Sequence, residues 1–208
     1  MGNYNWQQAV LCGYLAGSIL FARVFGRLIC GKEITEESRD KNPGTANAFL
    51  YGGFWCGFLT LCADLLKGFL PVYLFFRSQP PDVLEHAFPG ALVLAAPVAG
   101  HIFPLFYRFR GGKGIAVTFG SLLGLFPEMY PAAVLAAVFL FFSLVLRITP
   151  HFYRTAAVYL SCALLLILGP GEKAVQTGFL IIAVLVCWRL HTSEEEREKC
   201  KVRLLWKC

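Results

Sequence analysis

Residues 87–114 read AFPGALVLAAPVAGHIFPLFYRFRGGKG, an apolar run that ends without a gap in a turn of arginines, glycines and a lysine. The apolar part, residues 87–107, has about the 20-residue length that a helix needs to cross a lipid bilayer. The pattern repeats on both sides of it. Apolar runs separated by polar breaks fall at residues 5–25, 47–76, 114–127, 130–147, 154–169 and 173–190, which predicts about seven transmembrane helices. Of the 208 residues 57% are hydrophobic and 15% are charged, and the charges cluster between the runs. A soluble chain spreads charge over every element to cover its surface. Here most of the surface faces lipid, where a spanning segment must satisfy its own backbone polar groups. The expectation is an all-α, polytopic integral membrane protein.

Two runs depart from a simple span. The run at 47–76 is long and is interrupted by Asp64, Lys67 and Pro71, while 114–127 is too short to span upright and reads as partly re-entrant or continuous with the glycine turn before it. Met1–Gln8 carries no basic segment and no small-residue cleavage site follows the first run, so that helix is expected to stay. Residues 1–192 then form one transmembrane domain and 193–208 a tail. In the tail, Glu194, Glu195 and Glu196 precede basic residues mixed with Val202, Leu205 and Trp206. That composition suits either a short helix on an anionic leaflet or a disordered end.

Lysines and arginines set the orientation. One side collects Arg27, Lys32, Arg39 and Lys41, then Arg108, Arg110 and Lys113, then Arg147 and Arg154, and finally the tail from Arg189 to Lys207. The other side carries Arg77 and Lys173, with Arg23 and Lys67 inside runs. The positive-inside rule places the rich side in the cytoplasm, the C-terminus with it and the N-terminus outside, in a cell membrane. The net charge of +6 is explained by this placement, so no nucleic-acid partner is expected. The eight cysteines include no Cys-x-x-Cys pair, and none has a histidine at ligand spacing; they read as free thiols without metal.

Three unusual stretches fall on the cytoplasmic side. Asn42-Pro43-Gly44-Thr45-Ala46-Asn47 is turn chemistry in which Thr45 or Asn47 can cap the next helix, or whose amides can hold an anion. Arg110-Gly111-Gly112-Lys113-Gly114 lets backbone N–H groups approach a phosphate while Lys113 supplies charge, with His101 shortly before it. The spacing is not that of a Walker A loop. Asp64 and Lys67 share a helix face at i, i+3, as a structural ion pair or as part of a site. In the first helix, Gly13 and Gly17 make a small-x-x-x-small packing face, with Ser18 next to it.

Taken in order, these stretches resemble the acyl-phosphate:glycerol-3-phosphate acyltransferase family of bacterial membranes (PlsY). Gly17-Ser18-Ile19 is similar to its opening Gly-Ser motif, and Asn42 to Asn47 to the Asn-x-Gly-Ala-Thr-Asn of its first loop. Asp64-Leu65-Leu66-Lys67-Gly68 is similar to its Asp-x-x-Lys-Gly, and Gly100-His101-Ile102-Phe103-Pro104 through Gly114 to its central motif. The resemblance implies a helix bundle that moves a fatty acyl group from acyl phosphate to the 1-hydroxyl of glycerol 3-phosphate, giving lysophosphatidate, with no cofactor and no metal. Carried over onto this chain, His101 and Lys113 would be catalytic. Ser18, Asn42, Gly44, Thr45, Asn47, Lys67, Arg110, Gly111, Gly112, Gly114 and His191 would bind substrate phosphate. Membrane lipids are the remaining partner, and nothing in the sequence specifies an oligomeric state.

The chain is a divergent member on this resemblance. Arg39-Asp40-Lys41 stands where the family has Gly-Ser-Gly, and Glu36 or Glu37 where it has an arginine. Thr149 and Pro150 follow Arg147 where it has a serine. Trp188-Arg189-Leu190-His191-Thr192-Ser193 replaces its closing His-Arg-x-Asn. An added carboxylate repels phosphate unless a cation such as Arg39, Lys41 or Arg154 compensates. Two alternatives follow: acyl transfer to a different acceptor, or a non-catalytic anion transporter or binding protein of the same fold.

Overall fold

The computed structural model describes residues 5–38, 40–78, 87–193 and 199–205. Helices dominate: α1 (Trp6–Gly17), α2 (Phe21–Cys30), α3 (Ile34–Glu37), α4 (Thr45–Ser78), α5 (Ala87–Ile102), α6 (Ile115–Leu123), α7 (Tyr130–Leu140), α8 (His151–Leu168) and α9 (Lys173–His191). Among the described residues, five stretches are long and apolar enough to cross a membrane: Trp6–Cys30, Thr45–Ser78, Phe88–Tyr107, His151–Leu168 and Lys173–His191. A shorter apolar stretch runs from Tyr130 to Val145. The nine residues of α6, rising about 1.5 Å each, are too short to span, as the sequence suggested.

Large apolar side chains point outward from every span, among them Leu50, Phe54, Trp55, Leu74, Leu140, Leu164 and Val184. The interior is apolar as well, built from Leu94, Val98, Ile102, Leu122, Tyr159, Phe179 and Val186. A helix apolar all round has lipid on one side and protein on the other. α5 is the central one: 67% of its span is buried, against 33% for α8.

Small residues bring the central helices together. A Cβ at Gly17 of α1 would strike the Pro97 carbonyl of α5, and one at Gly100 of α5 would strike the Tyr14 carbonyl of α1. Across the α4–α6 crossing, Gly68 lies on the Val117 carbonyl and Gly120 on that of Leu65. The packing face read at Gly13 and Gly17 therefore has its partner in α5.

α4 runs through Asp64, Lys67 and Pro71, as one helix face shared by Asp64 and Lys67 requires, and its bend is at Gly53, with φ 78° and ψ −178°. Two sequence expectations change. The end of the 130–147 run is not helical: after a π-turn at Phe141–Val145, residues Leu146–Thr149 form a strand, β1. It pairs antiparallel with β2, Lys201–Leu204, in the register Leu146–Leu204 to Thr149–Lys201. The described part of the tail is thus a strand, neither an interfacial helix nor disordered. Alternating side chains decide this: Val202 and Leu204 lie across from Ile148 and Leu146 on one face, while Arg203 lies across from Arg147 on the other. Glu194, Glu195, Glu196, Arg197, Trp206 and Lys207 lie outside the described residues, as does Arg39.

Candidate functional site

At the end of α5 the chain doubles back. Arg108 and Phe109 take left-handed φ of 53° and 59°. The Gly111 amide then donates to the Ile102 carbonyl at 3.2 Å and the Gly112 amide to the His101 carbonyl at 3.1 Å. These two amides cap α5, so their role differs from the phosphate-holding one read from the sequence. Glycine is required at both positions by crowding: a Cβ at Gly111 would meet the His101 carbonyl, and one at Gly112 the His101 ring at Nε2. Arg189 of α9 grips the loop from the far side, its Nε and Nη2 donating to the Gly111 carbonyl at 3.2 and 2.8 Å. Gly114, with φ 79°, then opens α6.

The Asn42–Asn47 turn is tied to this loop by one carboxylate. Asp40 accepts from the Asn42 amide at 3.2 Å and from Asn47 Nδ2 at 2.7 Å, and its other oxygen lies 3.1 Å from Lys113 Nζ. Asn47 Nδ2 also donates to the Asn42 carbonyl at 2.8 Å, closing the turn on itself. Burial pushes the Asp40 carboxyl up, but the Asn47 hydrogen bond, the Lys113 charge and the Asn42 amide outweigh it and hold the group below the usual carboxylate range. The charge that compensates Asp40 comes from Lys113, the residue expected to hold substrate.

Beneath the turn lies a buried polar chain. Lys67 Nζ is 2.7 Å from Asp64 Oδ1, 2.6 Å from the Ile19 carbonyl and 2.9 Å from His101 Nδ1. Thr45 Oγ1 donates to Asp64 Oδ2 at 3.5 Å, which links the chain to the turn above. The Ile19 carbonyl is presented because α1 and α2 break around Ser18–Leu20. Ser18 itself bonds to the Tyr14 carbonyl and receives the Leu105 amide.

Two cavities flank Asp40, which lines both. One, of about 660 Å³, is strongly basic: Arg23 and Arg27 of α2, Lys41, Arg110 and Arg189 line it together with Glu33, Glu36, Gly111 and Trp188. Glu33 is held by Arg27 at 2.8 Å and Arg23 at 3.6 Å, so its charge is balanced. The other, of about 600 Å³, is amphipathic: Asn42, Gly44, Thr45, Asn47, Asp64, His101, Lys113, Gly114 and His151 line it together with Phe49, Leu50, Leu61, Ile115 and Phe119.

Of the residues expected in the site, the structure gathers Asn42, Gly44, Thr45, Asn47, His101, Lys113 and Gly114 around the amphipathic cavity, and Arg110 and Gly111 around the basic one. Ser18, Lys67, Gly112 and His191 line neither, and His191 is exposed at the end of α9. Arg23, Arg27 and Arg189 were missed as site residues. Arg23 lies at the end of the first apolar run and Arg27 follows it at i, i+4, a spacing that signals a polar face on a continuing helix.

Comparison with known proteins bears on the family and the fold. The family model described as glycerol-3-phosphate acyltransferase matches residues 8–197. A glycerol-3-phosphate acyltransferase of Pseudomonas paraeruginosa (strain DSM 24068 / PA7) is 37% identical over 184 residues, covering 88% of this chain and 90% of the relative. One of Actinobacillus pleuropneumoniae serotype 5b (strain L20) is 44% identical over 116 residues, 56% of each chain. The fold is similar to crystal structures of PlsY (YgiH), an integral membrane glycerol 3-phosphate acyltransferase. Its glycerol 3-phosphate form matches with TM-score 0.74 and its lysophosphatidic acid form with 0.71, each at 26% identity over 88% of this chain and 87% of that one. Matched along nearly its whole length by the family model and by relatives at this identity, the chain belongs to the glycerol-3-phosphate acyltransferase family.

Proposed function

We propose that this protein transfers a fatty acyl group from acyl phosphate to the 1-hydroxyl of glycerol 3-phosphate at the cytoplasmic face of the cell membrane. The donor sits in the amphipathic cavity, its chain along Phe49, Leu50, Leu61 and Phe119 and its phosphate at the Asn42–Asn47 turn and Lys113. The acceptor sits in the basic cavity, its phosphate among Arg23, Arg110 and Arg189. The hydroxyl oxygen attacks the acyl carbonyl, a tetrahedral oxyanion forms, and the bond to phosphate breaks. The ester and inorganic phosphate leave, the hydroxyl proton ending on phosphate.

An acyl phosphate is already a mixed anhydride, so the protein's task is to place two anions and stabilise the oxyanion between them. The reaction as written calls for no metal, coenzyme or covalent protein intermediate. The single observation that carries this is that Asp40, paired with Lys113 at 3.1 Å, lines both cavities, so the two anions would meet beside it. The orientation rests on the one-sided lysines and arginines.

The test is synthesis of lysophosphatidate by the purified protein from acyl phosphate and labelled glycerol 3-phosphate. Lys113→Ala is expected to abolish product; a wild-type protein that makes none at any pH ends the proposal. A second reading, the same transfer to a different acceptor, is favoured by the Glu36 and Asp40 carboxylates in the basic cavity. A panel of phosphorylated and neutral polyols separates the two by which compound is acylated.

A further inference from the structure

An ammonium group has three N–H donors and no acceptor. The three contacts of Lys67 Nζ, at 2.6, 2.7 and 2.9 Å, go to the Ile19 carbonyl, the Asp64 carboxylate and His101 Nδ1. The amine donates to the Ile19 carbonyl, Asp64 stands beside it as counter-ion, and an ammonium that contacts a ring nitrogen can only donate to it. His101 Nδ1 must then be the unprotonated nitrogen, and a neutral imidazole so held carries its proton on Nε2. Nε2 lies on the opposite side of the ring, against the Gly112 backbone, where a Cβ would displace it. His101 is 3% exposed, and it borders the amphipathic cavity beside Asn42, Thr45, Lys113 and Gly114.

We propose that Asp64 and Lys67 are positioning residues which hold His101 as the Nε2–H tautomer, so that His101 meets the substrate as a hydrogen-bond donor and not as a base. This rests on the proposed function, in that the cavity His101 borders is taken as the acyl-phosphate site. A donor there favours anionic oxygen: the phosphate of the bound donor, and the oxyanion as the carbonyl is attacked. Lys67 lines neither cavity and therefore acts on the reaction through His101. Asp64 balances the ammonium, and Thr45, itself at the cavity, steadies Asp64 from the other side. The close approach of Gly68 to the Val117 carbonyl, one residue beyond Lys67, fixes the rotation of α4 that aims the amine. The Asp-x-x-Lys-Gly stretch is in this way one device: acid, base-fixing amine and the glycine that seats them.

The measurement is histidine nitrogen NMR on the full-length protein, labelled with 15N-histidine, in lipid nanodiscs. The His101 signal is assigned by its loss in His101→Gln. The expected wild-type result is a protonated Nε2 and an unprotonated, hydrogen-bonded Nδ1. Lys67→Met is expected to convert this to a mixture of tautomers and to lower kcat by on the order of 10- to 100-fold, less than the loss of an oxyanion donor outright. KM for glycerol 3-phosphate should stay within about twofold, because a positioning residue does not touch the acceptor. A wild-type His101 protonated on Nδ1, or on both nitrogens, overturns the proposal. So does a Lys67→Met protein with unchanged tautomer and kcat. Should Lys67→Met fail to fold, the wild-type spectrum decides alone. A wild-type protein that makes no lysophosphatidate but shows the Nε2–H tautomer would refute the proposed function and not this arrangement of side chains.

Discussion

Asp40 is an acid in a loop whose neighbours are set to meet an anion, and its environment converts a liability into a strut. A bare carboxylate at the shared wall would repel both substrates' phosphates, but this one is occupied on one oxygen by Asn42 and Asn47 and faces Lys113 with the other. Asp40→Asn keeps an oxygen for the turn and removes only the charge. KM for glycerol 3-phosphate is expected to fall about two- to fivefold at low salt, the size of an ion-pair contribution of about 0.5–1 kcal/mol; a rise would refute the repulsion. The direction of the Asp40 shift also fixes a pH window. Its folded-state pKa is depressed below the ordinary 3.8, so the stability from its contacts is fully present above that value. It is lost as pH falls through the lower, folded value. Acid unfolding should therefore gain a component only below about pH 4, and that component should vanish in Asp40→Asn. Asp40 was visible in the sequence as a foreign charge. Its partner was not, because Lys113 is brought to it by folding across 73 positions.

Among the elements, helices and their glycine contacts were largely legible, and breaks within them were not. Apolar runs fix where a span exists, but whether a charged or imino residue interrupts it depends on what lies opposite. Asp64 and Lys67 continue α4 because each finds a partner at depth, and the bend falls at Gly53 because only that residue takes positive φ there. Two substitutions distinguish the glycine roles. Gly53→Ala meets nothing within 4 Å and should cost about 1–3 kcal/mol from its positive-φ, extended backbone alone. Gly17→Ala is expected to cost about 1–3 kcal/mol or more, because the new methyl is driven into a backbone carbonyl that cannot yield. Thermal unfolding in detergent measures both, and no loss for Gly17→Ala would contradict the α1–α5 crossing. The β1–β2 pair was illegible for a related reason: four residues at each of two distant sites become a ribbon only when register aligns Ile148 with Val202.

For the whole molecule, the one-sidedness of lysine and arginine predicts that the glycine loop, the Asn42–Asn47 turn and the tail share the cytoplasmic face. Cys200, exposed in the tail, offers a direct check. In a variant retaining Cys200 as its sole cysteine, a membrane-impermeant maleimide should label inverted vesicles and leave right-side-out vesicles unlabelled; the reverse result would turn the topology over. Family and chemistry were legible because the central motif stands almost unbroken from Gly100 to Gly114. The basic cavity was not, since Arg23 and Arg27 of α2 and Arg189 of α9 meet Lys41 and Arg110 only in three dimensions.

The grip of Arg189 on the Gly111 carbonyl has a temporal side. The residues that complete the basic cavity come from α2 and from α9, so the hand that steadies the glycine loop leaves the ribosome only after α1 to α8. A nascent chain that has already threaded α1 to α8 into the bilayer still has that loop open at one wall. A chain stopped before α9 should therefore be inserted yet silent.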